Sequence, residues 1–335
     1  MHLHKITEIP SSTLSALHTA RLRTVSNVLS LPPDTLLQLT SLSPSSIQTL
    51  LSTLYSATAA RAIPLSSLLP LPSPLRTGSS AFDDVLDGGL RPRAITQLAG
   101  QPATGKTHSA LAIAAHALRG GAVVWLDSSS THAIFSRIST ILAALTVDPI
   151  ERDLLLSRLI VLPASTVSTA LACLRALRKD LVTQHSVLGE RSLSQDGPQK
   201  HLATVLARLK LVVFDSVANV LAPVLGLRDG PWSGHVALNQ CATELRWISS
   251  RTDAAVLVTN RVVRDGERLK PALGNTWTAL VDVSIRLEVL STRDAQASLS
   301  GDAQMKTFCR ATVSSKKALP GQCQFQLCED GIKDV

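Results

Sequence analysis

Apolar residues recur every three or four positions through residues 1–60 and then change period. Ser11-Ser12-Thr13 offers hydroxyl caps for a first helix carrying Leu14, Leu17 and Leu22. Pro33-Asp34 opens another, with Leu36, Leu37 and Leu39. Ser43-Pro44 places a serine at the N-cap and a proline at the first helical position. Ile47, Leu50, Leu51 and Leu54 then follow at helical spacing. Residues 1–60 thus predict a small all-α domain. Pro64, Pro70, Pro72 and Pro74 remove backbone donors and fix φ, so residues 61–77 predict an extended linker. From Gly78 the pattern alternates between short apolar runs and amphipathic stretches, the signature of a mainly parallel α/β sheet. Strands are predicted at Ala94–Ala99, Ala122–Leu126, Leu159–Leu162, Leu211–Phe214 and Ala255–Thr259. Helices are predicted at Thr107–Arg119, Val167–Lys179 and His235–Ser250. Further strands follow near Val283–Leu290, Thr307–Val313 and Gln322–Leu327. The polar stretch Thr183–His201 reads as a surface loop.

Composition narrows the class. Of 335 residues, 45% are apolar but only 3% aromatic, so the core is built from Leu, Val, Ile and Ala. No apolar run is long enough to cross a bilayer. The opening MHLHKITEIP lacks the basic-then-apolar pattern of a secretory signal. The five cysteines are scattered without a CxxC pair, which suits buried or free thiols in a reducing compartment. The nine histidines form no metal-ligand pattern. The net charge of +8 favours polyanionic partners, since each phosphate neutralised releases counterions.

The chemistry concentrates in one loop. Gly100-Gln101-Pro102-Ala103-Thr104-Gly105-Lys106-Thr107 matches the P-loop pattern GxxxxGK[ST], with an apolar strand before it and an amphipathic helix after it. Glycines let backbone wrap phosphates, and the helix start points amides at them. Lys106 is therefore assigned to the β- and γ-phosphates of ATP, and the Thr107 hydroxyl to Mg²⁺. About one hundred residues later, Leu211-Val212-Val213-Phe214 ends in Asp215, which such a strand end places beside the same Mg²⁺.

Three further stretches carry a family resemblance. Gly78–Leu90 before the P-loop, Val256-Leu257-Val258-Thr259-Asn260, and Lys270-Pro271-Ala272-Leu273-Gly274-Asn275-Thr276-Trp277 resemble RecA-like recombinases. Nearly the whole chain resembles the eukaryotic paralogues of the strand-exchange recombinase, the D-type among them most of all. The resemblance implies a RecA-like ATPase core over residues 78–335, a helix–hairpin–helix-like N-terminal domain, and a role in the nucleus in homologous recombination and double-strand break repair.

It also exposes departures. Active recombinases carry a Glu two residues after the Asp that ends the strand following the P-loop helix, to polarise the attacking water. Here Leu126-Asp127-Ser128-Ser129-Ser130 puts Ser129 at that place. A serine without a partner is a poor general base near neutral pH, which implies slow hydrolysis. The family's γ-phosphate-sensing Gln after Thr-Asn is Arg261 here. Two loops of the family face DNA. The first, Leu221–Gly234, carries Arg228, and the second, Arg261–Asn275, carries Arg261, Arg264, Arg268 and Lys270, which suit contacts to phosphates of single-stranded or branched DNA. Residues 1–77 contain no glycine for close backbone approach, so the helical domain suits protein docking better than DNA. Self-assembling recombinases carry an aromatic anchor in the linker, whereas the only aromatic in residues 1–77 is Tyr55. Ser315-Lys316-Lys317 lies where a RecA-like subunit can cap its neighbour's ATP, or is an ordinary basic turn. The reading is an ATP-binding subunit joined to sister paralogues in a hetero-oligomer. Its rivals are an autonomous DNA-dependent ATPase that exchanges strands, and a RecA-like ATPase unrelated to DNA.

Overall fold

The computed structural model describes residues 2–59, 72–129, 133–187, 204–225, 234–266, 268–290, 307–315 and 320–335. The chain divides into two compact units, Met1–Leu71 and Pro72–Val335.

The first unit is helical: α1 Ser11–Thr19, α2 Val25–Leu29, α3 Pro33–Thr40 and α4 Pro44–Thr58. Leu3, Leu17, Val28, Leu36 and Leu54 are its fully buried centre. The Ser43 hydroxyl caps α4 by accepting from Ser46 N at 3.2 Å, with Pro44 at the first position as its fixed φ allows. The start of α1 differs from the sequence reading. Pro10 is its N-cap and Ser11 is already helical, while Leu22 lies beyond the helix and joins the core from the following turn. Pro10 ends extended at ψ 143, which a serine cap would otherwise have had to supply.

The second unit wraps a ten-stranded sheet. Its strands are β1 Ile95–Gly100, β2 Ala122–Asp127, β3 Leu159–Pro163, β4 Leu209–Asp215, β5 Ala255–Asp265, β6 Arg268–Pro271, β7 Val283–Val289, β8 Thr307–Ser315, β9 Gly321–Cys328 and β10 Gly331–Asp334. The order is β10-β9-β8-β7-β1-β5-β4-β2-β3, with β6 paired to β5. Strands β7, β1, β5, β4, β2 and β3 run parallel, and β8, β9 and β10 continue antiparallel. The helices are α5 Ser80–Val85, α6 Lys106–Gly120, α7 Ile134–Leu145, α8 Pro149–Leu156, α9 Val167–Val187, α10 Val217–Leu225, α11 Gly234–Arg251 and α12 Gly274–Leu280.

The two sheet faces read from the strand period of two. Val123, Trp125, Leu211 and Val213 face α6 and α7. Val124, Leu126, Val212 and Phe214 face α9 and α11. Every residue of β1 and β2 is buried, as a central parallel strand covered on both faces requires.

Further sequence expectations change. The predicted first DNA loop, Leu221–Gly234, starts as helix, since α10 runs through Leu225. Helix α9 runs through Val187, so the predicted loop from Thr183 begins later; the rest of that loop lies outside the described residues. The stripe Ala170, Leu174, Leu177, Leu181 carries the buried face past Lys179, and the Thr183 hydroxyl bonds back to Lys179 O at 3.0 Å. Residues 72–77, read as linker, are fastened to the core: Leu75 pairs with Leu90, and Thr77 is fully buried against Asp83. The linker residues 61–71, with Lys316 and Lys317, lie outside the described residues. The second predicted DNA loop is a hairpin, because β5 continues to Asp265 and β6 returns antiparallel beside it.

Candidate nucleotide site

Parallel strands gather functional groups at their carboxyl ends. Here β1 ends at Gly100, β2 at Asp127 and β4 at Asp215, while Thr259-Asn260 stand level with them in β5. Asp127 and Asp215 are register partners, so two carboxylates lie side by side.

The loop Gly100–Thr107 joins β1 to α6, with Gly105 at φ 81 as the N-cap. No side chain caps α6, so its first-turn amides are left for another acceptor. The Lys106 ammonium folds over the loop and donates to Gly100 O at 3.0 Å and Gln101 O at 2.6 Å. Burial pulls the Lys106 pKa below its ordinary value, and Asp215 partly restores it. The Asp215 carboxylate accepts from the hydroxyls of Thr259 and Thr107. Burial pushes its pKa up, those hydroxyls and Lys106 pull it down, and the neighbouring Asp127 adds to the rise. An ammonium, a threonine hydroxyl and an up-shifted carboxylate thus converge beside an uncapped 15-residue helix. That donor set fits a phosphate chain with a hard divalent cation: Lys106 and the α6 amides for the phosphates, Thr107 and Asp215 for Mg²⁺. A carboxylate held reluctantly in its charged form is one that a cation relieves.

Ser129 has a defined role in this arrangement. Its backbone N and its hydroxyl both donate to Asp127 Oδ1, at 2.9 and 2.6 Å. Asp127 is 4% exposed, so its carboxylate is tied down by Ser129 and withheld from solvent. The Ser128 hydroxyl accepts from Ser216 N at 2.8 Å and so links the ends of β2 and β4.

The narrower motif is explained by a buried polar network. Asn260 donates to Gln97 Oε1 at 2.8 Å and to Ala272 O at 2.9 Å. Trp277 Nε1 donates to the same Gln97 oxygen at 2.9 Å, and Gln97 Nε2 reaches Ser284 Oγ at 3.0 Å. Both Asn260 and Gln97 are fully buried, where unpaired polar groups are costly, so the network fixes the return of the hairpin onto β1 and β7. Thr259 and Asn260 were legible as a motif; their pairing with Asp215 and Ala272 was not, because it is set by strand register.

The basic residues of the hairpin divide. Register places Arg261, Val263 and Lys270 on one face and Val262, Arg264 and Leu269 on the other. Arg268 pairs with Asp265 at the hairpin tip. Arg261, Arg264 and Lys270 are exposed. Val262 and Leu269 line a cleft of about 680 Å³ whose other walls are Gly100–Thr104 and Arg286–Val289. Arg228 lies outside the described residues. No helix among the described residues is long and apolar enough to cross a membrane.

No family model matches the chain. It is 33% identical over 248 residues to "DNA repair protein RAD51 homolog 4" of Bos taurus, spanning 71% of this chain and 70% of the relative. The Mus musculus protein of that name is 32% identical over 220 residues, 64% of this chain and 60% of its own length. "DNA repair and recombination protein RadB" of Methanoculleus marisnigri is 30% identical over 267 residues, 77% of this chain and 97% of the relative. The crystal structure of the RadB recombinase superposes with a TM-score of 0.56 at 23% identity, over 78% of this chain and 99% of that one, a likeness of fold.

Proposed function

The chain belongs to the RecA-like recombinase family of the RAD51 homologues, and from that premise we propose that it is an ATP-binding paralogue subunit serving homologous recombination and double-strand break repair in the nucleus. Within the family we read it as a D-type paralogue, a reading that the similarity to RAD51 homolog 4 supports. Gly100–Thr107 hold the nucleotide and Asp215 with Thr107 hold Mg²⁺, which when bound supplies charge to neutralise the phosphates. Lys106 would exchange the loop carbonyls for phosphate oxygens, a swap that its 2.6 Å bond to Gln101 O makes local.

The observation that carries the reading is the Ser129–Asp127 pair. The family resemblance puts Ser129 in the place of a water-polarising carboxylate, and its bonds to Asp127 support slow turnover over autonomous strand exchange. A subunit that holds ATP without rapid hydrolysis suits a heteromeric complex with sister paralogues, in which the helical unit docks one partner and the core another. The hairpin cations Arg261, Arg264, Arg268 and Lys270, with Arg228, supply the contact to single-stranded or branched DNA.

Deleting residues 1–71, which leaves the Leu75–Leu90 pairing intact, tests the assembly. Purification from the native source followed by mass spectrometry should show one partner lost and one kept. Retention of both partners, or loss of both, contradicts the division of docking roles.

A further inference from the structure

A second group of cations lies at the opposite end of the sheet. Strands β2, β3 and β4 begin there, at Ala122, Leu159 and Leu209, about 13–20 Å from their P-loop ends at roughly 3.3 Å per residue. Helix α6 closes on Arg119-Gly120 and passes into β2 through Gly121. Ala122 N donates to Arg208 O at 2.8 Å, and Val123 N to Arg158 O at 3.1 Å. Arg158 Nη1 donates to Leu118 O at 3.1 Å, against the last turn of α6. A Cβ on Gly121 would stand 2.1 Å from Arg208 O and 2.7 Å from Lys210 Cγ. Arg119, Arg158, Arg208 and Lys210 therefore surround a turn whose two glycines carry no side chain.

These four cations differ from five other arginines of the core. Arg91, Arg93, Arg178, Arg246 and Arg286 each hold a carboxylate. Among the described residues Arg119, Arg158, Arg208 and Lys210 form no ion pair, and all but the half-buried Arg158 are exposed. The partial negative charge at the end of α6 accounts for Arg119 and for one nitrogen of Arg158. It does not account for Arg208 and Lys210, which come from the start of a strand.

We propose that this ridge binds the phosphate backbone of double-stranded DNA without regard to sequence, as a contact separate from the β5–β6 hairpin. Unpaired cations beside the exposed Gly120 suit phosphates, which need charge. Among the described residues, the four cations and two glycines of the ridge include no aromatic side chain of the sort that anchors protein partners. The choice of DNA as the polyanion rests on the recombination reading above; the site itself does not depend on nucleotide.

The test uses the full chain with Arg119, Arg208 and Lys210 changed to Ala, and a mixed-sequence duplex as probe. Affinity for the duplex should fall, and the slope of log affinity against log salt should flatten by about 0.9 per lost contact. The set Arg119→Lys, Arg208→Lys and Lys210→Arg should keep the wild-type slope. Arg208→Gln alone should flatten it by about 0.9, which keeps the test open should the triple variant fold poorly. An unchanged slope in variants that still bind ATP overturns the ridge and leaves the nucleotide reading standing. Failure of the wild type to bind the duplex at low salt also overturns it. Loss of poly-glutamate binding with duplex binding intact would assign the ridge to an acidic protein segment and overturn it too.

Discussion

Gly105→Ala is the sharpest perturbation of the P-loop, because two costs of different origin meet at one atom. Gly105 sits at φ 81, where a Cβ costs about 1 kcal/mol or somewhat more. The new methyl would also lie 2.0 Å from Leu327 Cδ1, the far end of a flexible side chain on β9. Leu327 is 8% exposed and packs in the core, so it would yield by leaving its rotamer, for about 0.5–1.5 kcal/mol. The expected loss is about 2 kcal/mol. Leu327→Ala should itself cost about 2–3 kcal/mol through lost burial. In the double variant the steric part disappears and the backbone part remains, so the two losses should fall short of additive by about 1 kcal/mol. Urea unfolding followed by tryptophan fluorescence reads the core alone, since Trp125, Trp232, Trp247 and Trp277 all lie beyond residue 71. ATP affinity should stay reduced in the double variant, because removing Leu327 does not restore the loop's φ. A stable Gly105→Ala chain, or strictly additive losses, would refute the packing of β9 against the P-loop.

Ser129→Glu removes the hydroxyl bond to Asp127, keeps the backbone one and should raise turnover, measured as steady-state phosphate release, whereas the unaltered chain should fall below the ordinary range of about 1–10³ s⁻¹ even with single-stranded DNA. Changing Arg261, Arg264, Arg268 and Lys270 to Ala should flatten the salt dependence of single-strand binding by about 0.7 per lost contact, and an unchanged slope would move DNA binding elsewhere. Asp334→Asn should cost about 1 kcal/mol near neutral pH, the order of a lost helix cap, because Asp334 accepts from Ser79, Ser80 and Ala81 at the start of α5. Burial raises the Asp334 carboxyl, but those hydrogen bonds outweigh it and hold it below the ordinary carboxylate value. Its contribution is therefore present above the unfolded value and lost as pH falls through the folded one, so wild type and variant should converge in acid melts.

The P-loop was legible because it is local: eight consecutive residues between a strand and a helix. Asp215 was legible as the end of an apolar run. What the sequence concealed depends on pairing between distant segments. The hairpin Arg261–Pro271 looked like a loop because its outward positions are charged, and only the register with β6 shows that Arg261 and Arg264 point to opposite faces. Helices α7 and α8 were missed between two strands, although Ile134, Ile138, Ile141 and Leu142 repeat at helical spacing and are buried. Ser129 was recognised as a departure, but its bond to Asp127 follows from the turn after β2 and not from residue type. Leu327 lies more than two hundred residues from Gly105 and reaches it only because β9 follows β7 and β8 around the sheet.

The most direct test of the account is titration calorimetry of ATP with Mg²⁺ on the full chain, on Lys106→Ala and on Asp215→Asn. Binding to the unaltered chain should be saturable, markedly weakened in Lys106→Ala with or without the cation, and weakened in Asp215→Asn only when Mg²⁺ is present. Equal affinity in all three proteins would contradict the assignment of Gly100–Thr107 and Asp215 to the nucleotide and its cation.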